Sequence, residues 1–187
     1  MRCLLWTACW DPSARQECAR KDRVVAGLKN TRGIEVLESP RGIYVLLVDV
    51  GGPVELEVGR LGKLVFEGLY AYVGSDQRGG RLARHARKGK PRKWHIDWLT
   101  GLGGLKGAWV LEDMPQTMES EIARHLARAF PAITGFGNSD CRGDPGHLFR
   151  IDNERELRDK VAEFAGSRGV SPTWWSPAVQ KDKNLPC

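Results

Sequence analysis

GIYVLLVDVGGPVELEVGRLGKLVFEGLYAYVGS, residues 42–75, decides the fold. GIYVLLVDV is rich in β-branched and aromatic residues, Gly51-Gly52-Pro53 supplies a turn, and VELEV alternates Val54, Leu56 and Val58 with Glu55 and Glu57. The pattern predicts a hairpin whose second strand is wet on one face. Gly59 and Gly62 punctuate, and KLVFEGLYAYVGS then adds strand that breaks near Gly68 and ends at Gly74-Ser75. Three or four antiparallel strands therefore precede any helix.

Downstream, Gly79-Gly80 give way to RLARHARKG, a short basic helix with Leu82, Ala83 and Ala86 inward and Arg84, Arg87 and Lys88 outward. KWHIDWLTGL reads as a second helical segment, and LKGAWVLED as a further strand. PQTMESEIARHLARAF is the clearest helix, because Met118, Ile122, Leu126 and Ala129 recur at helical spacing. FGNSDCRGDPGHLF reads as a loop returning to a short apolar end. NERELRDKVAEFA predicts a helix with Asn153 as N-cap and Leu157, Val161 and Phe164 on one face, and the residues from Ser171 read as a tail. These elements make an α+β domain: a small antiparallel β-sheet with an elongated first hairpin, flanked by helices. The expected boundaries are an N-terminal extension over 1–41, the domain over 42–151, and a helix and tail over 152–187.

The chain of 187 residues, 41% hydrophobic and 28% charged, has globular composition, which excludes whole-chain disorder. No apolar run approaches the roughly 18 to 20 residues of a transmembrane helix, since GIYVLLV meets Asp49. The opening MRCLLWTACW meets Asp11 early and lacks a small-x-small cleavage site, which argues against a signal peptide. Five scattered cysteines without a Cys-x-x-Cys pair specify neither a disulfide framework nor a zinc ribbon, and the expected compartment is the reducing cytoplasm. The net charge of +6 has one source. RGGRLARHARKGKPRK, from Arg78 to Lys93, holds eight Lys or Arg and no acid, so a polyanion would be met there.

Two constellations carry chemistry. On a helical wheel of about 100° per residue, Glu119 falls inside the arc filled by Met118, Ile122, Ala123 and Leu126, whereas Glu121 joins Arg124 and Arg128 on the wet face. An inward carboxylate is costly unless a cation or several donors compensate it. Glu119 is thus either a first-turn acid favoured by the helix dipole or the ligand of Mg²⁺ or Mn²⁺, with waters and substrate phosphate completing the shell. Arg81 and His85, four apart at the head of the basic stretch, combine a planar fork for phosphate oxygens with a group that exchanges a proton near neutrality. The bland alternative is a solvated basic helix.

Gly42-Ile43-Tyr44, Tyr72-Val73-Gly74, Arg81 with His85, and Glu119 at the head of a helix follow the motif order of the GIY-YIG nuclease family. The chain most resembles the Uri-type endonuclease-like branch, which is similar in WHID (Trp94 to Asp97), in ESEIA, and in FGNSDC with His147-Leu148-Phe149. The resemblance covers residues 42–151. It implies a small α/β nuclease with a three-stranded antiparallel sheet and one divalent metal ion. Carried over, it makes Tyr44, or a water that Tyr44 orients, the general base. Tyr72 lines the site, Arg81 holds the scissile phosphate, His85 matches a recurring histidine, and Glu119 binds the metal.

The expected activity is divalent-metal-dependent hydrolysis of phosphodiester bonds in DNA, with RNA as the alternative substrate and a partner protein as a potential source of specificity. No membrane partner is expected. Ser75, Arg78, Arg84, Arg87, Lys88, Lys90, Arg92 and Lys93 are the expected nucleic-acid contacts. The rival reading is a non-cleaving nucleic-acid-binding module with the same fold and basic helix. The sequence departs from the family pattern in that Tyr44 and Tyr72 stand 28 positions apart, which demands the elongated hairpin. Asn138 is the candidate for a late family asparagine. Arg142-Gly143-Asp144 follows Cys141 where the branch tends to carry a second cysteine, so Cys141 and His147 make half a zinc site and no zinc is expected. In WHIDW, His95 and Asp97 read first as packing residues, and His125 as a wet-face residue without a role.

Overall fold

A computed structural model describes residues 40–138 and 143–177. The expectations for residues 1–39, and for Cys141 as half of a zinc site, fall outside the described residues. The central strand is β1 (Gly42–Asp49), buried along nearly its whole length. The strands β4 (Leu69–Asp76) and β5 (Leu105–Glu112) pair with its two edges, both antiparallel. On the outside, β6 (Leu148–Ile151) pairs with β4, and β7 (Thr173–Trp175) pairs with β5. The sheet order is β6-β4-β1-β5-β7.

Helices cover both faces, which explains why β1 is apolar without alternation. Ile43, Val45 and Leu47 pack with Ile122, Ala123 and Leu126 of α3 (Met118–Leu126) and with Leu157, Val161 and Phe164 of α4 (Glu154–Gly166). Tyr44, Leu46 and Val48 face the other layer, with Leu82 of α1 (Arg81–Ala86) and Ile96 and Leu99 of α2 (Ile96–Thr100). Each layer uses one parity of the strand. As expected, Asn153 caps α4, its Oδ1 accepting from Glu156 N at 2.8 Å.

The structure departs from several of these expectations. VELEV does not pair with β1, because both edges of β1 are taken. It forms β2 (Val54–Glu57), paired only with β3 (Lys63–Phe66) in a separate two-stranded ribbon. Val50 N donates to Gly68 O, and Gly68 N to Gly51 O, each at 2.9 Å, so the β1–β4 hairpin closes at a neck and the ribbon grows out beyond it. The elongated hairpin is thus a short hairpin with an inserted ribbon. At the end of α3, Arg128 and Ala129 donate three residues back, to His125 O and Leu126 O. This tighter winding turns Ala129 to solvent instead of the core.

The sheet has five strands where the resemblance implied three. Its extra strands flank the β4-β1-β5 centre, and one of them comes from the segment read as a tail. Trp174 of β7 lies edge-on against Trp109 at 4.6 Å between ring centroids, and Gly107 leaves room where a Cβ would meet the Trp174 ring and the Trp175 carbonyl. The folded unit therefore runs past residue 151. Among the described residues, no helix is long and apolar enough to cross a membrane.

If β7 holds the sheet edge, Trp174→Ala lowers the unfolding free energy by about 1–2 kcal/mol, from the aromatic pair and the apolar area it covers. Urea denaturation checks this, and an unchanged midpoint with an unchanged slope would rule it out.

Candidate active site

Tyr44 on β1 stands opposite Gly74 on β4. A Cβ on Gly74 would come within 2.5 Å of the Tyr44 hydroxyl, so the glycine is what lets the ring lie across the neighbouring strand. Tyr72 lies two residues back on the same face of β4, buried against Phe136, with ring centroids 6.3 Å apart. Gly137, at φ 78°, adopts a left-handed conformation, and a Cβ there would stand 2.8 Å from the Tyr72 ring. Two glycines thus admit two phenols.

The turn from β4 to α1 passes through Gly79 and Gly80, both at positive φ. The buried Asp76 carboxylate fixes its far end, since Oδ2 accepts from Arg81 N at 2.6 Å. Arg81 is exposed and its guanidinium lies 5.3 Å from the centre of the Trp94 ring. One turn on, His85 is 1% exposed, and its Nε2 is 3.0 Å from the Tyr44 hydroxyl. Burial pulls the imidazole down to about 3, helped by the Lys90 charge and opposed by Asp97. His85 is therefore neutral in the fold. Burial also pushes the Tyr44 phenol well above its ordinary value, and Tyr72 and Glu119 add to this against the pull of Arg81.

Asp97, on the first turn of α2, gathers the basic stretch. Its oxygens accept from Arg84 Nη1 and Nη2 at 2.7 and 2.9 Å, and from the backbone N–H groups of Lys93 and Trp94 at 2.8 and 2.9 Å. Burial would raise the carboxyl, but these donors outweigh it and hold Asp97 at about 2. Lys90 Nζ lies 3.8 Å from Asp97 and bonds His85 O and Thr100 Oγ1 at 2.6 and 2.7 Å. His85 Nδ1 makes no hydrogen bond and points toward Asp97 Oδ1 at 4.0 Å.

Glu119 projects from the first turn of α3 with its side chain 18% exposed. Its Oε1 is 3.2 Å from His147 Nδ1, and His147 Nε2 donates to Asp144 Oδ2 at 3.1 Å, the ionised carboxylate being able only to accept. Arg124 Nη2 lies 2.8 Å from the other Asp144 oxygen. Burial would lower the His147 pKa, but the acids on both sides outweigh it and raise it. Among the described residues no three or more His, Cys, Asp or Glu side chains gather as a metal-binding group. The fitting donor set for a hard ion is one carboxylate with open space beside it, to be completed by water and phosphate oxygens.

These parts meet in one cleft of about 580 Å³, lined by Tyr44, Tyr72, Arg81, His85 and Glu119 together with Lys93, Trp94, His95 and His147. All five residues expected to be catalytic are brought together. The expected nucleic-acid contacts divide. Arg78, Arg87, Lys88, Arg92 and Lys93 are exposed, whereas Ser75 is buried, Arg84 is spent on Asp97, and the Lys90 side chain is 5% exposed. A buried carboxylate needs its counter-ions more than the surface does, and this removes Arg84 and Lys90 from the outer face, while Ser75 is buried within β4.

Sequence reasoning missed Asp97, Asp76 and His147 as site residues. A signal for Asp97 was present: it is the first acid after the long basic run. His147 was marked by the motif it shares with Leu148 and Phe149 but was read with Cys141 and not with Glu119, and Asp76 carried no comparable mark. His95 is more than packing, because it lines the cleft while its Nδ1 accepts from Gly137 N at 3.3 Å. Asn138 donates to Asp144 O at 2.7 Å and closes its loop. His125 Nε2 contacts Lys160 O at 3.1 Å, away from the cleft.

Removing Asp97 leaves Arg84 and Lys90 without their acid. Asp97→Ala is expected to cost about 3–5 kcal/mol in chemical denaturation, and a loss under 1 kcal/mol would disprove its central place. The His85 pKa lies below that of the unfolded chain, so the unfolded state binds more protons between about pH 6.5 and 3, and stability falls as pH falls through that window. Over pH 6 to 4.5, where Asp97 has not begun to protonate in the fold, the slope of stability against pH is expected to flatten in His85→Gln. An identical slope in the variant would show that His85 titrates as an exposed histidine does.

No curated protein and no solved structure matches the chain. A family model described as "Domain of unknown function DUF123" matches residues 43–169, from the second residue of β1 to just past α4. That match spans every element that builds the cleft and more than half of the sequence, and the chain belongs to the DUF123 family.

Proposed function

We propose that this chain is a divalent-metal-dependent endonuclease of GIY-YIG type that hydrolyses phosphodiester bonds in DNA. The observation that carries the reading is the convergence of Tyr44, Tyr72, Arg81, His85 and Glu119, from β1, β4, α1 and α3, on one cleft. The exposed cations of the basic stretch support a polyanionic substrate, and Trp94 beside Arg81 and Lys93 offers a flat surface among them.

The mechanism follows from proton positions. A phenol whose pKa is raised by burial holds its proton at rest, so Tyr44 does not act as a standing phenolate. Neutral His85 accepts the Tyr44 O–H at Nε2, which turns the phenol oxygen's lone pairs toward the cleft. A water donating to that oxygen attacks phosphorus while its proton passes to Tyr44 and the Tyr44 proton passes to His85; the P–O bond to one sugar oxygen breaks, and that leaving oxygen takes a proton from solvent water. Asp97, 4.0 Å from Nδ1, favours the transient imidazolium so formed against the opposing burial and Lys90 charge. Arg81, held at the mouth by its backbone bond to Asp76, binds the phosphate and offsets charge developing on its oxygens. Glu119 is the one acid among the described residues lining the cleft, and the ion it would hold supplies Lewis-acid stabilisation of the same charge.

Purified protein is expected to nick or cleave DNA with Mg²⁺ or Mn²⁺. Arg81→Ala should slow cutting about 10²- to 10³-fold, and Glu119→Ala should abolish it while leaving DNA binding largely intact. Salt-dependent binding without cleavage of any DNA or RNA form, across metals, would replace this reading with a non-cleaving binding module.

A further inference from the structure

His147 belongs to none of the roles assigned above, yet it is 2% exposed and lines the cleft. Its Nε2–H is committed to Asp144, which leaves Nδ1 against Glu119. Glu119 Oε1 lies 3.2 Å from Nδ1, where it answers an imidazolium when no ion is present. With Nδ1 unprotonated, as a ligand nitrogen must be, the two atoms are electron-pair donors side by side, arranged as two ligands of one cation would be. Ligand atoms about 2.1 Å from an octahedral ion and at right angles to each other stand about 3.0 Å apart, close to the spacing found. The Asp144 carboxylate behind Nε2 is the outer partner that fixes the tautomer and aim of a metal-binding imidazole, and Arg124 in turn holds Asp144.

We propose that His147 Nδ1 is a second protein ligand of the ion held by Glu119, with Asp144 orienting the ring. The inference rests on the metal-dependent reading above and deepens it. Water and phosphate oxygens take the remaining positions. One nitrogen donor shifts the preference of the site from Mg²⁺, which favours oxygen throughout, toward a first-row transition ion such as Mn²⁺.

The test uses the full chain without substrate and with Mn²⁺ alone as probe. Calorimetric titration gives affinity, and pulsed electron paramagnetic resonance reads nitrogen bound directly to Mn²⁺. The expected result is a ¹⁴N coupling that changes to a ¹⁵N pattern when the protein is made with ¹⁵N-histidine, persists in His95→Gln and disappears in His147→Gln. His147→Gln should weaken Mn²⁺ at least tenfold and Mg²⁺ less, and Asp144→Asn should weaken Mn²⁺ about 10- to 100-fold. Circular dichroism checks that the variants fold, and the isotope experiment on the unaltered protein needs no variant. Mn²⁺ binding that requires Glu119 but shows no histidine nitrogen overturns the inference and leaves the nuclease reading standing. The same holds for a coupling that survives His147→Gln. Binding indifferent to Glu119→Gln overturns both.

Discussion

Asp97 is a carboxylate taken almost wholly out of water, and a charge in that position must be answered from within the protein. Its answer comes from Arg84, Lys90 and the Lys93 N–H, all from the stretch that gives the chain its positive charge, and from the N–H of Trp94 just after it. Satisfying Asp97 ties α1 to α2, and α1 in turn delivers His85 to Tyr44 and Arg81 to the mouth of the cleft. The acid thus sorts the basic residues into those that hold the interior together and those left on the surface. Without such an anchor, a six-residue helix with Gly80 at its N-cap and no side-chain cap would have little to fix its orientation.

The same economy appears in the phenol-imidazole pair. Neither Tyr44 nor His85 carries charge at rest, because burial opposes charge on both. The pair shares one proton across 3.0 Å, a neutral arrangement that tolerates a dry setting and becomes polar only when a proton arrives. Glu119, His147 and Asp144 make the opposite choice on the far wall, alternating acids with a base. The cleft therefore has one wall that is neutral at rest and one that gathers charge.

Much of this was legible in the sequence where periodicity or a motif marks a residue. The apolar run of β1, the amphipathic face of α4 with its Asn153 cap, and the inward placement of Glu119 follow from spacing and side-chain chemistry. The pairing of β2 with β3 was not legible, because alternation tells which face of a strand is covered but not which strand lies beside it. The segment after Ser171 read as a tail because Pro172 and Pro177 flank only a few residues; its place at the sheet edge depends on Trp109, more than sixty positions earlier. Asp97 and His147 were read for their local neighbours, whereas their significance lies in partners at a distance, Arg84 and Glu119.

The neck formed by Val50, Gly51 and Gly68 separates the ribbon mechanically from the hairpin that sets Tyr44 against Gly74. Whatever length of chain is spliced in beyond that clasp, the two phenols keep their spacing across the sheet. The distance between the tyrosine motifs along the polypeptide is therefore free to drift from one descendant to another, and the outgrowth is available as raw material for contacts of its own.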